Sequence, residues 1–173
     1  MSKNKLSIKK INSLSKIEFN KIFENIIEHY PAASEVIEEK RPFADGSQLE
    51  NLFFHFIDQL DTAEKKVILK KHPELTGEIY NKKILTAESE NEQAIAGINQ
   101  MTEEEKKLFN NLSGLYKKKF MYPFVICVRE HTIASIISSI ERRLENSLDV
   151  ELDIAIGEVK KISRLRLRDL IDN

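Results

Sequence analysis

Apolar residues recur through the first half of the chain at the three- and four-residue spacing of amphipathic helices. The first predicted helix starts after Ser15 and ends at Tyr30-Pro31, and the segment SEVIEEK predicts a second, ending near Arg41-Pro42. A third is predicted to start at Ser47, and Thr62 is predicted to cap a fourth. The apolar face of the first helix comprises Phe19, Ile22, Phe23, Ile26 and Ile27.

The second half of the chain shows the same pattern, with one ambiguous segment. Thr102 and Glu105 form a capping-box pattern that predicts a helix ending near Phe120. The run FVICV, residues 124–128, fits a strand or a buried helix equally well, so both interpretations stay open. Two long helices, at roughly 132–146 and 149–171, end the chain. The predicted apolar face of the helix after Thr102 comprises Leu108, Phe109, Leu112, Leu115 and Tyr116.

This pattern predicts an all-α fold. Five Gly and four Pro in 173 residues leave little material for hairpins, and no internal repeat is visible. We therefore expect one domain over residues 1–173, a multi-helix bundle of about eight helices. Residues 1–14 are expected to form a loose N-terminal extension.

Composition narrows the choice of partner and compartment. The formal net charge of −1 gives no electrostatic reason to expect a nucleic acid or a membrane surface as partner. Cys127 is the single cysteine, which excludes an intrachain disulfide and favours a reducing compartment. There is no signal-peptide pattern, no apolar run of transmembrane length and no peroxisomal C-terminal tripeptide, so a cytoplasmic protein is expected.

The stretch TAESENEQAIAGI, residues 86–98, has an unusual polar helix face. Ser89, Glu92, Gln93 and Ala96 fall within about 100° of arc, by the period of 3.6 residues per turn. A hydroxyl, a carboxylate and a carboxamide above small residues are more typical of a pocket wall than of a solvated surface. The alternative is that Glu92 is an ordinary surface carboxylate.

Arg166 interrupts an apolar stripe of the last helix. It lies seven residues after Val159 and four before Leu170, whereas Arg164 and Arg168 point to the opposite side. A guanidinium keeps its charge, so its burial requires a carboxylate or a bound anion. A structural ion pair, a side chain that reaches solvent, and a substrate clamp all remain open.

His72 precedes Pro73, which disfavours helix at His72 and predicts a histidine held at a helix end. Its imidazole would titrate near neutral pH, although an isolated histidine is more often structural. The sequence has no metal-ligand spacing, phosphate-binding glycine loop or nucleophile elbow, so neither a metal nor a cofactor is expected.

Five motifs in register resemble one known family. They are RPF at 41–43, KHPELTG at 71–77, LTAESENEQAIAGI at 85–98, KKFMYPFVICV at 118–128 and SRLRLRDLI at 163–171. Together they resemble the 2-oxo-4-hydroxy-4-carboxy-5-ureidoimidazoline (OHCU) decarboxylase family, from about residue 15 to the C-terminus. The resemblance implies an all-helical, cofactor-free homodimer that decarboxylates OHCU to (S)-allantoin in urate breakdown.

The resemblance also implies the roles of individual residues. The catalytic residues would be His72, Glu92 and Arg166. The substrate-binding residues would be Pro73, Ser89, Gln93, Phe124, Val125, Ile126, Cys127 and Val128, the last five through backbone groups. The chain departs from the family pattern at Met121-Tyr122, where Gly-Phe is usual, and at Ser113, where Asn is usual. A Trp common near the second helix is absent.

Two other functions remain open at this point. A catalytically silent helical module could bind a partner helix, but such grooves are apolar, unlike the face around Glu92. A relative that decarboxylates a different ureide acid is the second alternative.

Overall fold

The computed structural model describes residues 5–75 and 85–172 and confirms the all-α fold. Over these residues the only β feature is an isolated bridge between Leu6 and Ile171. Thr76 and Gly77, which end the KHPELTG motif, lie outside the described residues. The α-helices of the described chain are α1 Ile8–Asn12, α2 Lys16–Phe23, α3 Ala32–Glu38, α4 Gly46–Gln59, α5 Thr62–Lys71, α6 Ala87–Ile95, α7 Glu103–Phe120, α8 Ile133–Arg143 and α9 Leu148–Leu170.

Side-chain caps fix several of the helix starts. Ser15 begins α2 and Thr102 begins α7, as predicted, and each forms a capping box with the glutamate three residues later. Two predicted starts are wrong, the first by two residues and the second by one. Asp45, rather than Ser47, begins α4, because its carboxylate accepts the backbone N–H of Gln48. In the same way Asp61, rather than Thr62, caps α5, where its carboxylate accepts the N–H of Glu64.

Contacts divide the chain into two compact units, each described by itself below. The first comprises Met1–Ile68 and Lys160–Asn173, and the second comprises Leu69–Val159. The first therefore holds α1 to α4, most of α5 and the C-terminal part of α9, and the second holds α6, α7, α8 and the N-terminal part of α9. The single domain expected from the sequence stays a prediction.

The core of the first unit is aromatic and aliphatic. The Phe19 and Phe23 rings stack with centroids 4.5 Å apart, and Phe43 lies 5.9 Å from Phe19. Asn12 binds the backbone of Phe43 twice, because its amide donates to the Phe43 carbonyl and accepts its N–H, both at 2.8 Å. Ile11 of α1 is fully buried. The described part of the N-terminal segment is therefore packed, in contrast to the loose extension expected for residues 1–14.

The RPF motif has a structural role in this unit. The guanidinium of Arg41 donates to the carbonyl of Leu14 and to the carboxylate of Glu38, and it lies 5.4 Å from the centre of the Phe19 ring. Phe43 is held by Asn12. The motif thus ties the loop before α4 to the start of the chain.

The core of the second unit forms around α7. The Tyr116 ring meets the Phe120 and Phe124 rings at centroid distances of 4.6 and 5.2 Å. The predicted apolar face of α7 is partly wrong, because Leu108 and Leu115 are exposed. The buried face is narrower and consists of Phe109, Tyr116 and Phe120.

Arg166 is buried in the first unit beside an equally buried carboxylate. Its Nη1 lies 2.8 Å from Oε2 of Glu28, whose exposure is 0%, and donates to the carbonyl of Asn25 at 2.6 Å. The pair is the structural alternative that the sequence left open. Arg164, two residues earlier, instead pairs with Glu50 at 2.8 Å and is half-exposed.

These two arginines give a matched test of stability. Arg166→Met takes the guanidinium away from a fully buried carboxylate, so we expect the free energy of unfolding to fall by about 3–5 kcal/mol. Arg164→Met loses a solvent-screened pair and should cost at most about 1 kcal/mol. Urea unfolding followed by circular dichroism measures both values. An equal loss of unfolding free energy in the two variants would show that the buried Arg166–Glu28 pair contributes no more to stability than the half-exposed Arg164–Glu50 pair.

Candidate active site

The polar face of α6 points into the protein. Ser89, Glu92 and Gln93 are 5%, 8% and 5% exposed, whereas Ile95 on the same helix is 63% exposed. Thr86 begins the helix, since its hydroxyl accepts the N–H of Ser89 at 3.2 Å. A helix that buries a carboxylate and a carboxamide while exposing isoleucine is the reverse of a surface helix. This confirms that the face is not a solvated surface.

The small residues after Gln93 end α6. Ala96 is the C-cap residue directly after α6, and its N–H donates to the carbonyl of Glu92 at 3.0 Å. Gly97 follows with φ +70°, a conformation that L side chains rarely adopt, so a glycine terminates the helix here. Because the chain turns at this point, Ile98 is buried although Ile95 is exposed.

The run 124–128 is neither a strand nor a helix. The segment before Val128 is irregular, and a short 3₁₀ turn follows at Val128–Glu130. Phe124, Val125, Ile126 and Cys127 are all buried, each with an exposure of 4% or less. Helix α6 packs against the 3₁₀ turn, so the polar face and this loop lie in the same part of the second unit.

His72 and Pro73 directly follow α5, as predicted. His72 is buried, and its backbone N–H donates to the carbonyl of Leu69 at 3.2 Å. The residues that come next, Glu74 and Leu75, share a small pocket with Pro123 and Phe124. The turn after His72 therefore borders the start of the 124–128 loop.

A buried charge network that the sequence analysis missed lies behind this loop. Arg143 donates from Nε to Oε1 of Glu151 at 2.8 Å and from Nη1 to the carbonyl of Val125 at 2.8 Å. The guanidinium also lies 4.5 Å from the centre of the Phe124 ring. Glu158 completes the support, because its Oε2 accepts the backbone N–H of Cys127 at 2.8 Å.

Two phenols border the network and stay neutral. Burial raises the pKa of Tyr116 far above its ordinary value, and the Arg143 charge opposes that rise only in part. Burial likewise raises the pKa of Tyr122 to about 12. At physiological pH Tyr116 is therefore protonated and donates its O–H to Oε1 of Glu151.

The predicted site residues divide between the two units. His72, the α6 residues and the 124–128 loop belong to the second, and Arg166 belongs to the first. Among the described residues no group of His, Cys, Asp and Glu is arranged to hold a metal ion. In the same described ranges no helix is long and apolar enough to cross a bilayer.

Comparison with known proteins identifies the family. The family model described as OHCU decarboxylase matches residues 12–168. The chain is 41% identical over 168 residues to the 2-oxo-4-hydroxy-4-carboxy-5-ureidoimidazoline decarboxylase of Xenopus laevis, a match that covers 97% of this chain and 96% of that relative.

Two solved structures share the fold. One, described as (S)-allantoin synthase, superposes with a TM-score of 0.79 at 22% sequence identity. The superposition covers 96% of this chain and 54% of the other, longer chain. The other, an OHCU decarboxylase in the presence of (S)-allantoin, gives a TM-score of 0.65 at 23% identity over 79% of this chain and 87% of that one. The sequence matches confirm the family inferred from the motifs: the chain belongs to the OHCU decarboxylase family and is a carboxy-lyase.

Proposed function

We propose that this chain converts OHCU to (S)-allantoin and carbon dioxide without a cofactor. The observation that carries the proposal is the inward-facing set of Ser89, Glu92 and Gln93 beside the 124–128 loop. This set offers a hydroxyl, a carboxylate and a carboxamide to a small molecule rich in N–H and C=O groups. The family and the Xenopus laevis relative are named for the same decarboxylation.

His72 is proposed to move the protons. Loss of CO₂ leaves an electron pair that is delocalised into the adjacent imine, and protonation on one face then sets the stereocentre. Of the proposed site side chains, only an imidazole ordinarily titrates near neutral pH. Burial of His72 at the end of α5 supports this role, because a site closed to water prevents protonation from the wrong face.

Glu92, Gln93 and Ser89 are proposed to orient the substrate. The Glu92 carboxylate would accept substrate N–H groups, while Gln93 can both donate and accept. Pro73 and the backbone of Phe124 to Val128 would complete the contacts. Ile126 supports this assignment, since it is buried and no other described residue forms a hydrogen bond with its backbone N–H or C=O. A substrate amide edge would satisfy both groups.

Arg166 is proposed to donate to a ring carbonyl or hydroxyl oxygen on which charge builds up. A clamp on the departing carboxylate would stabilise the ground state as much as the transition state, and only the difference accelerates the reaction. The ion pair with Glu28 supports a fixed guanidinium, because the carboxylate and the Asn25 carbonyl together restrict its orientation.

The two rival functions make different demands on α6. A module that binds a partner helix needs an exposed apolar groove, whereas α6 buries its polar face and exposes Ile95. A decarboxylase of another ureide acid would use the same polar face, so activity on OHCU itself must distinguish these two functions.

We also propose a homodimer in a reducing, cytoplasmic compartment. Large apolar side chains of the second unit are exposed, and oligomer interfaces commonly cover such residues. They are Ile95, Leu108, Leu115, Met121, Leu148, Val150 and Ile154. The single cysteine, Cys127, is buried and supports the reducing compartment.

A stereochemical assay tests the activity. OHCU generated from urate by the two preceding enzymes decays spontaneously to racemic allantoin, which gives no net circular dichroism. The protein should therefore accelerate the appearance of the circular dichroism signal of one enantiomer. We expect fast formation of the (S) enantiomer. An unchanged spontaneous rate would contradict the proposed reaction and favour the binding module.

Replacing the proposed acid–base residue should remove most of the rate. His72→Asn keeps a polar side chain of similar size, and we expect kcat to fall by about 10²–10⁴-fold while the fold is retained. The matched control is His55→Asn on an exposed position of α4, which should keep wild-type kcat. Near-native turnover by His72→Asn would remove this residue from the mechanism.

Variants of the polar face should lose orientation of the substrate rather than stability. Glu92→Gln replaces one of two acceptor oxygens with an NH₂ donor, and Gln93→Leu removes both polar groups. In each variant kcat/KM should fall by the equivalent of about 1–3 kcal/mol. Glu90→Gln, an exposed carboxylate of the same helix, is the control and should leave kcat/KM unchanged. Melting temperature and kcat/KM are measured on the same preparations. A variant at position 92 or 93 that melts far lower and turns over normally would refute the orienting role.

A further inference from the structure

Residues 124–127 of the 124–128 loop have no regular secondary structure to fix their backbone, so other groups must fix it. Two charged side chains supply them within the second unit. Arg143 of α8 binds the Val125 carbonyl, and Glu158 of α9 binds the Cys127 N–H, both at 2.8 Å. Hydrogen bonds to a charged partner are roughly twice as strong as neutral ones, and both side chains are at least nine-tenths buried.

The two hydrogen bonds, from Arg143 and to Glu158, are called the two anchors below. They hold the peptide units on either side of Ile126. The Val125 carbonyl belongs to the peptide that carries the Ile126 N–H, and the Cys127 N–H belongs to the peptide that carries the Ile126 carbonyl. Both peptides are trans, so each is planar with its C=O and N–H pointing in opposite directions. The anchors therefore direct the Ile126 N–H away from Arg143 and the Ile126 C=O away from Glu158.

We propose that Arg143 and Glu158 are positioning residues of the reaction, which aim the backbone donor and acceptor of Ile126 at the substrate. This inference rests on the proposed function, in which the loop contacts the substrate through its backbone. The inference adds that two buried charged side chains, on α8 and α9, fix the geometry of the loop. These side chains do not themselves contact the substrate.

Arg143 is itself held in a single orientation. Its Nε and Nη2 lie 2.8 and 2.6 Å from Oε1 of Glu151, so the third nitrogen, Nη1, is aimed at Val125. Glu151 has 0% exposure and also accepts from Tyr116 and from Asn146. A lysine could keep the charge beside Glu151 but could not bind Glu151 and Val125 with one planar fork.

The main test replaces Glu158 in two ways. Glu158→Gln keeps an oxygen that can accept the Cys127 N–H, whereas Glu158→Leu removes it. A misplacement of about 1 Å near reacting groups can cost about 10²-fold in rate, so we expect Glu158→Leu to lower kcat by that factor. Glu158→Gln should stay within about fivefold of wild type, since it loses only the charged character of the bond. Rescue by the isosteric amide would separate positioning from general packing.

A second pair of variants tests the other anchor. Arg143→Lys should lower kcat by a similar factor of about 10², because the Val125 carbonyl loses its donor. Asn146→Ala is the control, since Asn146 binds Glu151 at 2.8 Å and has no contact with the loop backbone among the described hydrogen bonds. It should lower the melting temperature and leave kcat unchanged. Near-ultraviolet circular dichroism verifies the fold of each variant, and the assay also records the (S) to (R) ratio of the product.

The outcomes separate the two claims. An active wild-type protein whose folded Glu158→Leu and Arg143→Lys variants keep wild-type kcat overturns the positioning role and leaves the proposed function intact. An inactive wild-type protein overturns both. If neither variant folds, the two residues serve stability and the positioning role is rejected. Loss of rate in both folded variants, with rescue by Glu158→Gln, supports it.

Discussion

Each of the two units contains a carboxylate with 0% exposure, Glu28 in the first and Glu151 in the second. Removing a carboxylate from water costs several kcal/mol unless a cation and further donors compensate. Arg166 and Arg143 are those cations, at 2.8 and 2.6 Å. The fold must therefore place the arginine and the carboxylate of each pair side by side. This requirement constrains the fold more strongly than any single apolar contact does.

The same two arginines also organise backbone that has no regular structure. Arg166 donates to the carbonyl of Asn25, in the irregular segment after α2, and Arg143 donates to the carbonyl of Val125. Helices satisfy their own backbone groups, but buried loops need partners from outside. In both units one guanidinium binds the buried carboxylate and a carbonyl of an irregular segment, because its fork has donors in several directions. The loop that follows Pro123 thus owes its shape to side chains on α8 and α9 rather than to its own sequence.

The helices could be predicted from the sequence because caps and apolar spacing act locally, as at Ser15 and Thr102. The 124–128 loop could not, since FVICV fits several structures and its form depends on Arg143 and Glu158. Arg143 and Glu158 nevertheless show the same signal as Arg166, a charged residue at a position of an apolar helix face. Arg143 follows Ile136 and Ile140 at helical spacing. Glu151 and Glu158 occupy one face of α9 together with Ala155 and Ile162. Glu28 had no such signal, because it follows the end of α2, where helical spacing no longer applies.

The pairing of Arg166 limits the chemistry that we assign to it. A guanidinium beside Glu28 at 2.8 Å belongs to a pair with no net charge, so it attracts a substrate carboxylate less than an isolated arginine would. That suits a decarboxylation, in which the carboxylate leaves as neutral CO₂ and strong binding of its charge would stabilise the ground state. A directed N–H donor with a neutralised charge can still stabilise negative charge that builds up on a ring oxygen. Glu28 would then serve the reaction by lowering the affinity of Arg166 for the group that departs.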